Sequence, residues 1–365
     1  MKLKQIPEDF VVKEILPKSF DQYLSENPDS KYVWFTLKKK NWDLFNALKA
    51  IAKQLNVSVK RFGYAGTKDK NAVTYQTISV FGVPIEKLRS VKIKDIELSD
   101  FRYANRDIGI GDLEANRFEI TIRDLTKDDE KRVKSAAEKI KKNGIVNFFG
   151  YQRFGVNRAI THIVGKYIIK NDLKNAVWTY LTHVSKKEDK RKTDARKRLK
   201  ESFDIDQALK DFSGIKPEIV LLNHLKKYPN DYAGALRKLP IGMRKMFIHA
   251  YQSFLWNDIA KKIKLRGNVK IPMIGYETDI EKYPKIKNII KDVLVSENIQ
   301  LEDFKIKSMP ELSCKGDERD FIVFPKGLKY KFEKDDMNKN RLKVKIEFEL
   351  PKGSYATEVI RQMFQ

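Results

Sequence analysis

The stretch Gly63-Tyr64-Ala65-Gly66-Thr67-Lys68-Asp69-Lys70 sets one carboxylate between two lysines. Neighbouring cations favour the charged form of a carboxylate, so Asp69 suits a nucleophile or a base better than a general acid. The two glycines ahead of it are expected to let the backbone turn sharply. The stretch is not a P-loop, because the spacer between Gly and Gly-Lys-Ser/Thr is absent, and it is not a dinucleotide fingerprint. Taken alone, an aspartate in a basic loop is most often a surface turn. A second constellation, Asn147, Phe149, Arg153 and Phe154, lies in a stretch bounded by glycines. A ring there could stack on a base while an arginine holds a phosphate, although a core loop accounts for the same residues about as well. Lys68, Lys70, Arg153 and Arg158 are candidates for backbone phosphate contacts, with ordinary solvated charge as the other reading.

Composition points the same way without deciding it. Among 365 residues, 74 Lys and Arg outnumber 49 Asp and Glu, a net charge of +25 that fits an anionic partner or simply a lysine-rich surface. A single cysteine, Cys314, excludes an intramolecular disulfide framework, and four histidines without ligand spacing argue against a bound metal. No apolar run long enough to span a bilayer occurs, and Met1 to Asp9 contain no signal-like apolar segment. The expectation is a cytoplasmic, soluble chain with no membrane association, no metal, no cofactor and no indicated protein partner.

The elements that would position these residues are partly legible. Tyr32 to Leu37 are β-branched and aromatic, as in a buried strand, and Asn41 is expected to cap a helix carrying Leu44, Leu48, Ile51 and Leu55 on one face. Strands are expected over Val73 to Phe81 and around Arg117 to Ile122. Thr126 with Asp129 resembles a capping box, Val133, Ala136, Ala137 and Ile140 line the helix after it, and Gly144 can end it. From about residue 158 the pattern turns helical, with helix expected over 159–182 and Ile241 to Lys262. The charged run Ser185 to Glu201 is weighed as a solvated helix or loop against an RNA-contacting arm. Strand patterns return at Phe321 to Phe324, Tyr330 to Phe332 and Leu342 to Phe348, followed by a helix over Tyr355 to Met363. Strands at both ends of a helical middle suggest an inserted domain in an α+β protein.

Six blocks, in order, resemble the TruD family of tRNA pseudouridine synthases. They are Lys4 to Val12, Ala65 to Gln76, Gly111 to Phe118, Val146 to Gly155, Tyr251 to Asn257 and Leu350 to Thr357. The resemblance implies the pseudouridine synthase catalytic fold, a mixed and largely antiparallel sheet flanked by helices, interrupted by an inserted α/β TRUD domain in a V-shaped two-domain architecture. Residues 1–157 and 319–365 would form the catalytic domain and 158–318 the insertion. By the same resemblance Asp69 is the catalytic aspartate, Lys4 its counter-ion, Phe149 the ring that stacks on the target base, and Asn147 a neighbouring support. Thr67 and Phe148 depart from the Leu and Tyr common in bacterial members. The implied reaction converts uridine 13 of tRNA to pseudouridine, an isomerisation needing no donor or redox group. Two other readings stay open: a pseudouridine synthase acting on other or additional RNAs, and a non-catalytic protein that binds structured RNA.

Overall fold

In the computed structural model, residues 1–264, 267 and 269–364 are described, and the chain divides into two compact units. One comprises Met1–Ile145 with Val323–Gln365, the other Val146–Ile322.

The first unit is built on a ten-stranded sheet. Its order is Lys326–Lys334, Leu342–Pro351, Ala115–Leu125, Phe10–Ile15, Val73–Phe81, Tyr32–Lys40, Ile96–Ala104 and Leu24–Ser25, with Lys2–Leu3 beside the Ala115 strand and Phe62–Tyr64 beside the Val73 strand. The Phe10 and Val73 strands pair in parallel, Val11 opposite Val73, whereas the remaining neighbours run antiparallel. The sheet is therefore mixed and largely antiparallel. Alternation puts most of the apolar side chains of the strands on one face, where helices cover them, while Trp34 packs separately with Leu16, Phe20, Tyr23 and Leu24. Leu44, Leu48 and Ile51 of the helix Leu44–Leu55 pack with Val33, Phe35, Leu37, Ile78 and Val80. Val133, Ala137 and Ile140 of Lys127–Asn143, with Val359, Ile360 and Met363 of Ala356–Met363, pack on Phe10, Phe118, Ile120, Val344 and Ile346.

Local signals explain most boundaries here. Thr126 and Asp129 form the reciprocal capping box, and Gly144 closes that helix at φ 68° with its N–H on the Ile140 carbonyl. Asn41 does not cap the first helix. It sits at φ 58°, and Asp43 takes the capping role by accepting from the Asn46 N–H. The Tyr32 strand runs on to Lys40, three residues past the apolar stretch. Strands at Phe10–Ile15 and Ile96–Ala104, which periodicity did not predict, complete the sheet.

The second unit is mainly helical. The long helix Ile241–Lys262 buries Phe247, Ile248, Tyr251, Leu255, Trp256 and Ile259 in a single core. Thr161–Ile169 crosses it so closely that a Cβ on Gly165 would lie 2.1 Å from the Phe247 carbonyl oxygen. The predicted 159–182 helix is two, Thr161–Ile169 and Leu173–Thr182, separated at Asn171 (φ 57°) and restarted by the Asp172 cap. A short ladder pairs Lys270–Met273 with Asp317–Asp320.

The unit boundaries fall at 145/146 and 322/323, not at the expected 157/158 and 318/319. Side-chain anchoring gives the reason: Asn257 and Ser253 on the long helix hold Phe149 and Arg153, and Arg319 holds Asn147. Residues 146–157 thus belong with the helical unit.

Candidate active site

Asp69 lies in the loop between the Phe62 and Val73 strands, and nearly every part of that loop is gripped. Gln76 Nε2 donates to the Gly66 carbonyl at 3.2 Å. Lys39 Nζ donates to the carbonyl of Asp69 itself at 3.2 Å and to that of Trp42 at 2.7 Å. Lys68 forms an ion pair with Glu14, whose side chain is fully buried. Burial pushes the Glu14 carboxyl up, with Lys68 pulling in the other direction. The backbone under Asp69 is therefore fixed from three directions, while its carboxylate stays about one-third exposed and faces Lys4, Nζ to Oδ2 3.0 Å. The Lys4 ammonium also rests over the Phe10 ring, 3.8 Å from its centroid, an arrangement that orients the cation without neutralising it.

Lys39 belongs to neither of the constellations read from the sequence. It has no exposed surface and sits on the helix-covered face of the sheet, in register with Thr74. Burial pushes its amine down to about 8. The signal was present: continuing the Val33, Phe35, Leu37 alternation by one step points Lys39 inward.

The glycines act differently from the expectation. Neither Gly63 nor Gly66 has a positive φ. Gly63 is a strand residue whose added Cβ would meet the Ile108 carbonyl oxygen at 2.4 Å and Ser79 Oγ at 2.5 Å, so close approach, not a sharp turn, requires it.

The second constellation is assembled in the helical unit. Asn257 brackets Phe149 on both backbone groups, Oδ1 accepting from its N–H at 2.9 Å and Nδ2 donating to its carbonyl at 3.0 Å. The Phe149 ring meets Trp256 edge-on at 5.7 Å, and the Arg319 guanidinium lies 4.0 Å from its centroid. Asn147 is buried: Arg319 Nη2 donates to its Oδ1 at 2.8 Å, and its Nδ2 donates to the Asp320 carbonyl at 3.2 Å. Arg153 Nε donates to Ser253 Oγ at 3.1 Å, with its guanidinium 5.8 Å from the Phe149 centroid. Asn257 ends the family-like block Tyr251 to Asn257, and no local signal marks Arg319, which lies 172 positions from Asn147.

The four basic candidates separate by burial. Lys70 is exposed and Arg153 half-buried. Lys68 is engaged with Glu14. Arg158 is largely buried, donating to the Tyr180 carbonyl at 2.7 Å and lying 3.5 and 3.3 Å from Glu188 and Glu218. The charged run also turns inward: it forms the helix Lys190–Ser202, and its Arg196 is buried against the same two glutamates at 2.9 and 2.6 Å. Among the described residues, no group of three or more His, Cys, Asp or Glu side chains could hold a metal, and no helix is long and apolar enough to cross a membrane.

The family model described as tRNA pseudouridine synthase D (TruD) matches residues 1–266 and 259–363. The chain is 34% identical to a probable tRNA pseudouridine synthase D of Methanococcoides burtonii, over 99% of this chain and 92% of the relative. It is 37% identical to the corresponding protein of Methanopyrus kandleri, over 90% and 84% respectively. A crystal structure of a putative TruD from Methanosarcina mazei superposes with a TM-score of 0.78 at 31% identity, covering 100% of this chain and 93% of that one. By fold, sequence coverage and order of blocks, the chain belongs to the TruD family of tRNA pseudouridine synthases, enzymes of the isomerase class.

Proposed function

We propose that the chain isomerises uridine 13 of tRNA to pseudouridine, with Asp69 as the nucleophile and Lys4 as its counter-ion. The observation that carries this reading is the Lys4–Asp69 pair, 3.0 Å apart and part-exposed on a loop whose backbone is otherwise tied down. A fixed carboxylate beside one oriented cation is what attack on a nucleoside needs, because little reorganisation is left for the moment of reaction. In the reaction N1–C1′ breaks, the uracil turns, C5–C1′ forms, and the proton lost from C5 is balanced by one gained at N1. Substrate and product have the same atoms, so no donor or redox partner enters.

A stacked base must first leave the helix, at a cost of a few kcal/mol. Phe149 is assigned to stack on that base, its orientation set in advance by Asn257 and Arg319, and Asn147 supports the same segment through Arg319. Lys70 and Arg153 are assigned to phosphates. Lys68 and Arg158 act from inside their units, through Glu14 and through Glu188 and Glu218.

The test is incubation with unmodified tRNA transcripts, no added cofactor, and mapping of pseudouridine at single-nucleotide resolution beside Asp69→Asn. Product at uridine 13 that vanishes in the variant, with folding and tRNA binding kept, is the expected result. Product elsewhere would move the target while keeping the chemistry. An active Asp69→Asn chain would remove the nucleophile.

A further inference from the structure

Lys4 has an improbable backbone. It is a side-chain-bearing residue at φ 57°, in the left-handed region that such residues avoid, at the point where a two-residue strand gives way to a 3-10 turn. Such a conformation persists only where the surroundings over-determine it. The restraints come from a turn more than 300 positions away in sequence, residues 335–341, which joins the strands Lys326–Lys334 and Leu342–Pro351.

Asn338 of that turn grips both flanks of Lys4. Its Oδ1 accepts from Lys2 Nζ at 2.6 Å and its Nδ2 donates to Gln5 Oε1 at 3.2 Å. The same Nδ2 donates to Asp335 Oδ2 at 2.8 Å. The fully buried Asp335 side chain also accepts from the Asp124 and Met337 N–H groups at 2.9 and 3.0 Å and from Arg123 Nη1 at 3.0 Å. Arg123 is the hub. It stands opposite Lys2 on the neighbouring strand, donates through Nη1 to Asp336 at 2.8 Å, and donates through Nε to both oxygens of buried Asp9 at 2.8 and 3.1 Å. Asp9 in turn accepts from the Ile6 N–H at 3.2 Å. The chain is held at residues 2 and 5 by Asn338 and at residues 6 and 9 through Arg123. The span between these anchors contains Lys4.

We infer that the 335–338 turn, through Asn338 and Arg123, is the positioning device that places the Lys4 ammonium against Asp69. The inference rests on the roles proposed above for Lys4 and Asp69. Asn338 is a positioning residue: it touches neither partner of the pair and acts by fixing the backbone from which one of them projects.

The measurement is the single-turnover rate of pseudouridine formation on an unmodified tRNA transcript for wild type, Asn338→Ala, Lys4→Met and the double variant, with RNA half-saturation and melting temperature recorded for each. Asn338→Ala is expected to slow the wild-type rate by about 3- to 30-fold, within the roughly 100-fold that a 1 Å misplacement can cost, while leaving half-saturation unchanged. In the Lys4→Met background the same change should have no further effect, because the group it positions is gone. Gln5→Ala, an exposed change that removes one of the bonds, should slow the reaction in the same direction and serves if Asn338→Ala does not fold. An equal loss in both backgrounds would mean a general structural effect and overturn the inference, as would an unchanged rate in the wild-type background. Lys4→Met with full activity, beside an inactive Asp69→Asn, would overturn the inference together with the role of Lys4. An active Asp69→Asn would instead strike the proposed function.

Discussion

Replacing Lys39 by methionine separates the cost of burying a charge from the benefit of holding a loop. An ordinary lysine value of 10.5 falls to about 8 in the folded chain, because burial disfavours the ammonium. Between these values the folded state has released its proton while the unfolded state still holds one, so wild-type stability rises with pH across the window. At about 1.36 kcal/mol per pH unit, a gap of about 2.5 is worth roughly 3 kcal/mol. Lys39→Met has no proton there to release. Near pH 7 the variant escapes the buried charge but leaves the Asp69 and Trp42 carbonyls without their donor, at about 1 to 3 kcal/mol each, so the two chains should differ little. Above pH 8 the wild type should pull ahead, reaching roughly 3 kcal/mol by pH 10.5, where the other titrating groups cancel between the chains. Urea unfolding at several pH values measures this. Trp178→Phe and Trp256→Phe in both chains leave Trp34 and Trp42 to report on the first unit. A stability difference that stays flat within about 1 kcal/mol from pH 7 to 10.5 would refute the buried-amine argument.

Phe149→Ala should lower turnover by about 5- to 150-fold, the equivalent of the 1 to 3 kcal/mol typical of base–aromatic stacking, with a smaller effect on tRNA encounter; unchanged turnover would remove the stacking role. Arg196→Met should destabilise the helical unit by about 3 to 5 kcal/mol, because Glu188 and Glu218 lose their closest cation in a buried site. A shift in the urea midpoint equivalent to less than about 1 kcal/mol would mean that Arg158 alone satisfies both carboxylates.

Elements stood out in the sequence where one physical signal dominated. Val73–Phe81 is rich in β-branched residues, Ile241–Lys262 is a long Pro-free stretch rich in bulky apolar side chains, and the Thr126–Asp129 box marks its helix. Lys38, Lys39 and Lys40 look like a solvated end of the Tyr32 strand, although the middle one points into the core. Ile96–Ala104 mixes charge and bulk, so its strand identity comes from pairing with the Tyr32 strand, a tertiary fact. The proposed nucleophile Asp69 and its proposed counter-ion Lys4 are legible through family resemblance. Their supports were not, because Arg319 to Asn147 and Asn338 to Lys2 are contacts across 172 and 336 positions. No local pattern encodes such distances.

The same distinction governs how the basic residues should be interpreted. Three lysines converge on the Asp69 loop, and each grips a different kind of group. Lys4 meets the carboxylate, Lys39 meets the peptide carbonyl behind it, and Lys68 meets a second carboxylate, that of Glu14. Had all three converged on the Asp69 carboxylate, it would be tightly solvated by cations and a poor nucleophile, since attack requires giving up those bonds. Assigning two of them elsewhere fixes the loop while leaving the carboxylate with one partner to release. A net charge of +25 says nothing of this, because Lys39, Lys68, Arg123, Arg158 and Arg196 are counted in it although each is committed inside its own unit. The cations available to RNA are those left after such internal pairing. Burial and partner must therefore be known before a basic residue is assigned to a phosphate.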